Sequence, residues 1–216
     1  MGLTAERICG VCGKKINVVA AIYATPEMRD NCYLCSDCQR RCSPSLSYST
    51  IRTWTREDAL EHMRLITELQ MKRNSEFKET DAVMGGSKGN DKILCGDAEH
   101  GWWYVPGNPD FFTFDQVEKW ELNIRTSDEA SGIHLLKYKA PRADMPVPDR
   151  TEDLTGMSLN IYLNNHPYAE KVTATIGGAA GLLEGRKKYM ERMYGYAEEC
   201  YKFFEKFCGR GTISFS

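Results

Sequence analysis

The sequence has no long apolar segment and almost no net charge. None of its apolar runs approaches the roughly 18 to 20 residues needed to cross a bilayer. The first ten residues, MGLTAERICG, lack the charged-then-apolar order of a secretory signal, so we expect a cytoplasmic location. With 28 Lys and Arg against 30 Asp and Glu, the formal net charge is -2, which gives no overall support for a polyanionic partner.

Motifs of catalysis are also missing. The glycine-rich stretch GGAAGLLEGRKK does not match the phosphate-loop pattern GxxxxGK followed by Ser or Thr. No short ligand spacing or nucleophile motif includes any of the four histidines, which are His62, His100, His134 and His166. Because no acid, base and nucleophile are grouped together, we expect a protein that is not an enzyme.

Cysteine, in contrast, is abundant, with nine residues. An odd number of cysteines in a reducing compartment disfavours a disulfide framework. Two CxxC pairs are separated by 22 residues, enough for a hairpin that brings the second pair onto the metal face of the first. The pattern predicts one structural Zn²⁺ ion, with Cys9, Cys12, Cys35 and Cys38 as its ligands.

Two further cysteines leave this ligand set open. Cys32 and Cys35 also form a CxxC pair, and Cys42 lies one helical turn beyond Cys38, so either can replace one of the four ligands. In the favoured arrangement, Cys32 belongs to the strand before the helix and Cys42 fills a small gap in the core. The alternatives are buried thiols without metal and a redox dithiol, although the βαβ pattern typical of redox CxxC pairs is missing.

The order of local signals predicts a treble-clef-like zinc ribbon over residues 1–48. Gly13 suits a turn around the ion, a hairpin follows, and a short helix is expected to begin at Ser36 and Asp37. Residues 49–90 are predicted to form a helical linker, because apolar residues recur at helical spacing after a start near Thr55. The turn-rich segment 83–90 is taken as the boundary of the next domain.

Residues 91–216 are predicted to form an antiparallel sheet with a C-terminal helix. Six or seven segments alternate as strands without intervening helices, beginning with a hairpin around residues 98–100, so the sheet must close or form a sandwich. The helix over 182–207 carries an aromatic and apolar stripe expected to cover the open end of the sheet. Together these features predict an α+β fold whose second part is a pleckstrin-homology-like (PH-like) sheet or barrel.

With no catalytic grouping, the leading hypothesis is a non-enzymatic interaction or regulatory module that binds a protein or peptide through the PH-like domain. The alternative is a nucleic-acid-binding protein that acts through the zinc ribbon and the helix after it. Candidate partner-binding residues are two basic pairs and two aromatic residues: Lys14, Lys15, Arg40, Arg41, Trp102 and Trp103.

The chain resembles an uncharacterised bacterial and phage family in which a four-cysteine zinc ribbon, a helical linker and a PH-like domain follow in that order. The motifs that carry the resemblance are CGVCGKKI, LCSDCQRRCSP, ELQMKRNSEFKET, FFTFDQVEKWEL and MSLNIYLNNHPYAEKVTATIG. The resemblance implies the same four zinc ligands, and the chain departs from the family pattern at Cys42 and in its additional Cys32. The family has no settled activity to carry over.

Overall fold

The computed structural model describes residues 7–16, 26–85, 91–128, 132–138, 152–178 and 186–208. By their contacts, the residues group into two compact units. The first unit comprises Met1–Glu76 together with Asn108–Asp110, and the second comprises Phe77–Gly107 and Phe111–Ser216. The chain therefore leaves the second unit for three residues between two of its strands.

The described residues of the first unit form two short strands and three helices. The strands β1 (Arg7–Ile8) and β2 (Lys15–Ile16) pair antiparallel. The helices are α1 (Ser36–Gln39), α2 (Tyr48–Arg52) and α3 (Arg56–Glu76). Their small core consists mainly of cysteine, methionine and aliphatic side chains.

The helix α3 begins where the sequence predicts. The N–H of Thr55 donates to Asp58 Oδ2 (2.7 Å), and the N–H of Asp58 donates back to Thr55 Oγ1 (3.3 Å). This reciprocal pair satisfies donors that the first turn leaves without a helical partner. Ala59 and Met63 then bury the inner face of the helix against the core of the first unit.

One antiparallel sheet of the second unit follows chain order. Its strands are β3 (Asp81–Gly85), β4 (Asp91–Asp97), β5 (Trp102–Tyr104) and β6 (Phe112–Thr113). Antiparallel pairing of β4 with β5 confirms the predicted hairpin around residues 98–100. The strand β3 lies within the segment assigned to the linker by sequence, and residues 86–90 of the predicted boundary lie outside the described residues.

A second described sheet of the second unit has the strand order β10-β9-β7-β8. It contains β7 (Val117–Asp128), β8 (Gly132–Tyr138), β9 (Glu152–Leu163) and β10 (Lys171–Gly178), and all neighbouring strands are antiparallel. Buried residues alternate with less buried ones along β9 and β10, so one face of the sheet lies on the core.

The last helix, α4 (Arg186–Cys208), fills the core between the two sheets. It packs against β3, β9 and β10, and Phe204 is completely buried. The Phe204 ring lies 5.1 Å from the ring of Trp103 in one sheet and 5.3 Å from the ring of Trp120 in the other. The predicted apolar stripe therefore faces the core, while residues 182–185 of the predicted helix lie outside the described residues.

The antiparallel sheets and the mixed helix and sheet composition are confirmed. Of the two predicted alternatives, an open sheet arrangement or a closed barrel, the closed barrel is wrong. In the described residues the strands form separate sheets. The hydrogen-bonded ladder of the β3-β4-β5-β6 sheet ends at the two-residue strand β6. A single-turn 3-10 helix, Phe114–Gln116, then turns the chain into β7 before the ladder can continue. None of the described helices is long and apolar enough to cross a membrane.

The carboxylate of Asp97 organises the turn after β4. It is completely buried and accepts backbone N–H bonds from Lys78 (2.8 Å), Glu99 (3.1 Å) and His100 (3.2 Å), and His100 Nδ1 lies 2.7 Å from its Oδ2. Burial opposes ionisation, but the donors from Lys78 and His100 outweigh burial and lower the pKa of Asp97. The charged form is therefore the one that the fold stabilises.

Replacing Asp97 with Asn tests this role, because the side chain keeps its shape and loses its charge. A carboxyl group with a lowered folded-state pKa stabilises the fold above its ordinary pKa, and this contribution is lost as the pH falls through the folded-state pKa. We expect Asp97→Asn to lower the free energy of unfolding by about 1–3 kcal/mol at neutral pH and by much less at acid pH. Urea unfolding measures both values, with the exposed Asp91→Asn as control. An equal loss at the two pH values contradicts the assignment.

Candidate metal centre

The first cysteine pair lies on a tight turn between β1 and β2. The N–H of Gly13 donates to the carbonyl oxygen of Cys9 (2.9 Å), and the N–H of Cys9 donates to that of Lys14 (2.9 Å). Gly13 has a φ of 73°, a left-handed conformation that a residue without Cβ adopts at little cost. The turn therefore bends the chain between Cys9 and Cys12 as a metal-binding knuckle requires.

The second pair lies at the start of α1. Cys35 is the N-cap residue of this helix, and Cys38 lies within it. Just before the helix, Tyr33 forms a parallel bridge with Cys9, and its carbonyl oxygen accepts from the N–H of Gly10 (2.9 Å). This pairing brings the start of α1 beside the first turn.

The four cysteine sulfurs converge. All lie within 4.8 Å of one another, with 3.8 Å between the Sγ atoms of Cys9 and Cys38 and 3.7 Å between those of Cys12 and Cys35. A tetrahedral ion with Zn–S bonds of about 2.3 Å holds its sulfurs about 3.8 Å apart. The four residues therefore fit a four-coordinate ion that prefers sulfur. Three of them are buried, and Cys12 is exposed.

The surroundings treat these thiols unequally. Burial opposes ionisation of Cys9, yet backbone N–H groups, led by that of Cys35, lower its pKa to about 7. Burial, followed by the neighbouring thiols, raises the pKa of Cys38. A thiol must lose its proton to bind a metal, so metal binding at these cysteines releases protons and depends on pH.

An ion pair links the two cysteine turns. Lys14 Nζ lies 2.5 Å from Asp37 Oδ2, and Arg40 Nη1 lies 3.6 Å from Asp37 Oδ1. Lys14 follows the first pair, and Asp37 lies between Cys35 and Cys38. The pair raises the pKa of Lys14 and lowers that of Asp37. The Lys14 ammonium, balanced by the Asp37 carboxylate, therefore lies near Cys12 and Cys35, whose sulfurs become negative when they bind a metal.

The remaining cysteines of this region have other surroundings. Within the described residues, the group of converging sulfurs does not include Cys32 or Cys42. Cys32 packs on Gly10, where an added Cβ would lie only 2.7 Å from the Cys32 Cβ. Cys42 is buried in the core of the first unit, and its Sγ donates to the carbonyl oxygen of Cys38 (3.6 Å).

The basic residues predicted to bind a partner are exposed. They are Lys14, Lys15, Arg40 and Arg41. Two of them, Lys14 and Arg40, share the same carboxylate, that of Asp37, which reduces the positive charge that this surface presents.

The two predicted aromatic contacts differ from one another because successive side chains of β5 point to opposite faces. Trp103 is completely buried, and its Nε1 donates to the carbonyl oxygen of Thr113 (3.2 Å). Its indole is therefore not on the surface. Trp102 is half-buried, and its ring centroid lies 4.5 Å from that of His100 and 4.9 Å from that of Phe111.

Pairs of residues that lie far apart in the chain but bond to each other carry no signal in the sequence. Asp37 carries no signal of its pairing with Lys14, 23 residues away. The same holds for a buried polar group in the first unit, in which Ser43 bonds to His62, 19 residues away, and to Asp110, 67 residues away. Only the cysteine spacing was visible as a pattern.

No known protein family, curated protein or solved structure matches this chain. The resemblance drawn from the sequence motifs therefore has the four-cysteine group as its structural support, and its family and origin stay predictions.

We expect the ion pair between Lys14 and Asp37 to affect the affinity of the four cysteines for metal. Lys14→Glu places a negative charge beside the four sulfurs, and we expect it to weaken metal binding by about two- to fivefold, since exposed charge pairs act weakly. The double variant Lys14→Asp with Asp37→Lys should recover most of this loss. Competition with a chromophoric chelator measures the affinities, and Arg52→Glu on α2 is the control for net charge. An equal effect of Lys14→Glu and Arg52→Glu contradicts the role of the pair.

Proposed function

We propose that the first unit binds one structural Zn²⁺ ion through Cys9, Cys12, Cys35 and Cys38, in a treble-clef-like ribbon. The observation that carries this proposal is the convergence of the four sulfurs within 4.8 Å. Four thiol ligands are typical of closed structural zinc sites. A strand pair that holds the first cysteine pair in its turn, followed by a helix that begins at the second cysteine pair, also supports the ribbon.

For the second unit we propose a PH-like domain. Two four-stranded antiparallel sheets followed by a C-terminal helix that fills their common core support this proposal. The bacterial or phage family suggested by the motifs has the same order of ribbon, helix and PH-like domain, and we propose that the chain shares this plan.

The protein as a whole is proposed to act in the cytoplasm as a non-enzymatic interaction or regulatory module that binds a protein or peptide. A zinc ion with four thiolates has no open position for a reacting water molecule. Two of the histidines also have structural surroundings: His62 Nε2 accepts from the N–H of Ser43 (3.1 Å), and His166 Nδ1 accepts from that of Ala169 (3.0 Å). Burial lowers the pKa of His166 to about 4, so this imidazole is neutral.

Metal stoichiometry tests the zinc proposal. We expect elemental analysis of the purified protein to find one zinc per chain, and Co²⁺ substitution to give the absorption of a tetrahedral thiolate site. Cys9→Ser and Cys35→Ser should each lose the bound metal. The matched variants Cys32→Ser and Cys42→Ala should keep it. A protein without zinc, or a metal lost in Cys32→Ser, contradicts the proposed ligand set.

Salt dependence separates the interaction module from the nucleic-acid alternative. Because Asp37 already pairs with Lys14 and Arg40, we expect only weak binding to DNA or RNA oligonucleotides, with little change when Lys15 and Arg41 are reversed to Glu. Fluorescence anisotropy over a salt series measures this. Tight binding that falls steeply with salt and is lost in the reversed variant favours the nucleic-acid function instead.

A further inference from the structure

A buried polar group in the first unit lies next to the metal-binding helix. Ser43 and Asp110 are almost fully buried, as is His62 on α3. The Ser43 Oγ donates to Asp110 Oδ2, and the Ser43 N–H donates to His62 Nε2 at 3.1 Å. A buried carboxylate and a buried imidazole are costly unless they are paired, so these bonds hold the three residues together.

The group holds the segment Asn108–Asp110, which belongs to the first unit although the strands before and after it, β5 and β6, belong to the second. The Asn108 side-chain amide donates to Ser45 Oγ (3.3 Å), and the backbone carbonyl oxygen of Asn108 accepts from Arg73 Nη1 (2.8 Å). The segment therefore has several bonds to the first unit.

Ser43 is also tied to the metal centre through the backbone. It lies five residues after Cys38, and the carbonyl oxygen of Cys38 accepts both the N–H of Arg41 (3.1 Å) and the Sγ of Cys42 (3.6 Å). The position of Ser43 thus follows from the turn that continues α1. A turn of this length has little stability of its own and depends on what fixes Cys35 and Cys38.

We propose that metal binding at the four cysteines controls whether Asn108–Asp110 is held, so that loss of the metal releases this segment and with it the connection between β5 and β6. This inference rests on the proposed metal site. The bonds of Ser43 to Asp110 and His62 are the coupling element, because they require α1 and its following turn to be formed. Coupling between two sites is reciprocal. The factor by which bound metal favours the held segment is therefore the factor by which breaking these bonds weakens metal binding.

Hydrogen exchange of the full chain tests the release. We expect the two backbone amides of the segment, those of Asn108 and Asp110, to exchange faster after the metal is removed with a chelator, since Pro109 has no N–H. The Asp110 N–H donates to Asn108 Oδ1 (3.0 Å). The amides of β7, β9 and β10 should stay protected. Unchanged exchange of Asn108–Asp110 after chelation overturns the proposal. An equal loss of protection in β7, β9 and β10 also overturns the proposal, because the release is then not confined to Asn108–Asp110.

Two variants test the coupling in the opposite direction. Asp110→Asn and Ser43→Ala should release the segment with metal bound and lower zinc affinity by roughly 5- to 150-fold, the range of measured coupling between sites. The exposed Asp115→Asn is the control and should change neither quantity. If Asn108–Asp110 is released in these variants while their zinc affinity is unchanged, the proposed coupling is wrong. Elemental analysis of the same samples shows separately whether zinc is bound at all, and its absence in the unmodified protein overturns both this inference and the proposed metal site.

Discussion

The first unit depends on one constraint, the convergence of four cysteine sulfurs donated by two separate turns. Each turn is too short to be stable by itself, and the core around it is made largely of cysteine and methionine side chains with few large aliphatic ones. A group of thiols within 4.8 Å then serves as the point at which the turns meet. Small units of this kind often obtain their folding free energy from a metal ion.

The second unit is held by a different principle. Its core is a large aromatic and aliphatic cluster to which both sheets and α4 contribute. Phe204 lies between a tryptophan of each sheet, and Gly96 leaves room for the Phe203 ring, which would lie only 2.9 Å from an added Cβ. The burial of this large apolar cluster stabilises the second unit through the hydrophobic effect.

The segment Asn108–Asp110 groups with the first unit but lies, along the chain, between β5 and β6 of the second. The segment is part of a connection between strands of the second unit, yet its polar groups bond within the first unit. A buried Ser43 that bonds to a buried carboxylate is sensitive to small displacements, since the loss of a hydrogen bond between buried polar groups is costly. The proposed dependence on metal follows from this sensitivity and requires no large rearrangement of either core.

Much of the local structure was predictable from the sequence. The CxxC spacing indicated the four converging cysteines, the helical spacing of apolar residues after Thr55 indicated α3, and the apolar stripe of α4 indicated its buried face. The antiparallel strands also followed from their alternation. The strand β3 was missed because the glycine-rich stretch that follows it suggested a boundary. Of the alternatives left open by the sequence, the closed barrel is wrong, because the two-residue strand β6 and a 3-10 turn end the sheet of β3, β4, β5 and β6.

The sequence by itself determined the two long helices, the antiparallel strands after residue 91 and the cysteine group, because their signals are local patterns with a fixed period or spacing. Only the tertiary structure decided that Asp37 pairs with Lys14, that Trp103 is buried while Trp102 is half-exposed, and that Asp110 bonds to Ser43. Each of these facts depends on the separation in space of residues far apart in the chain, and no periodic pattern encodes that separation.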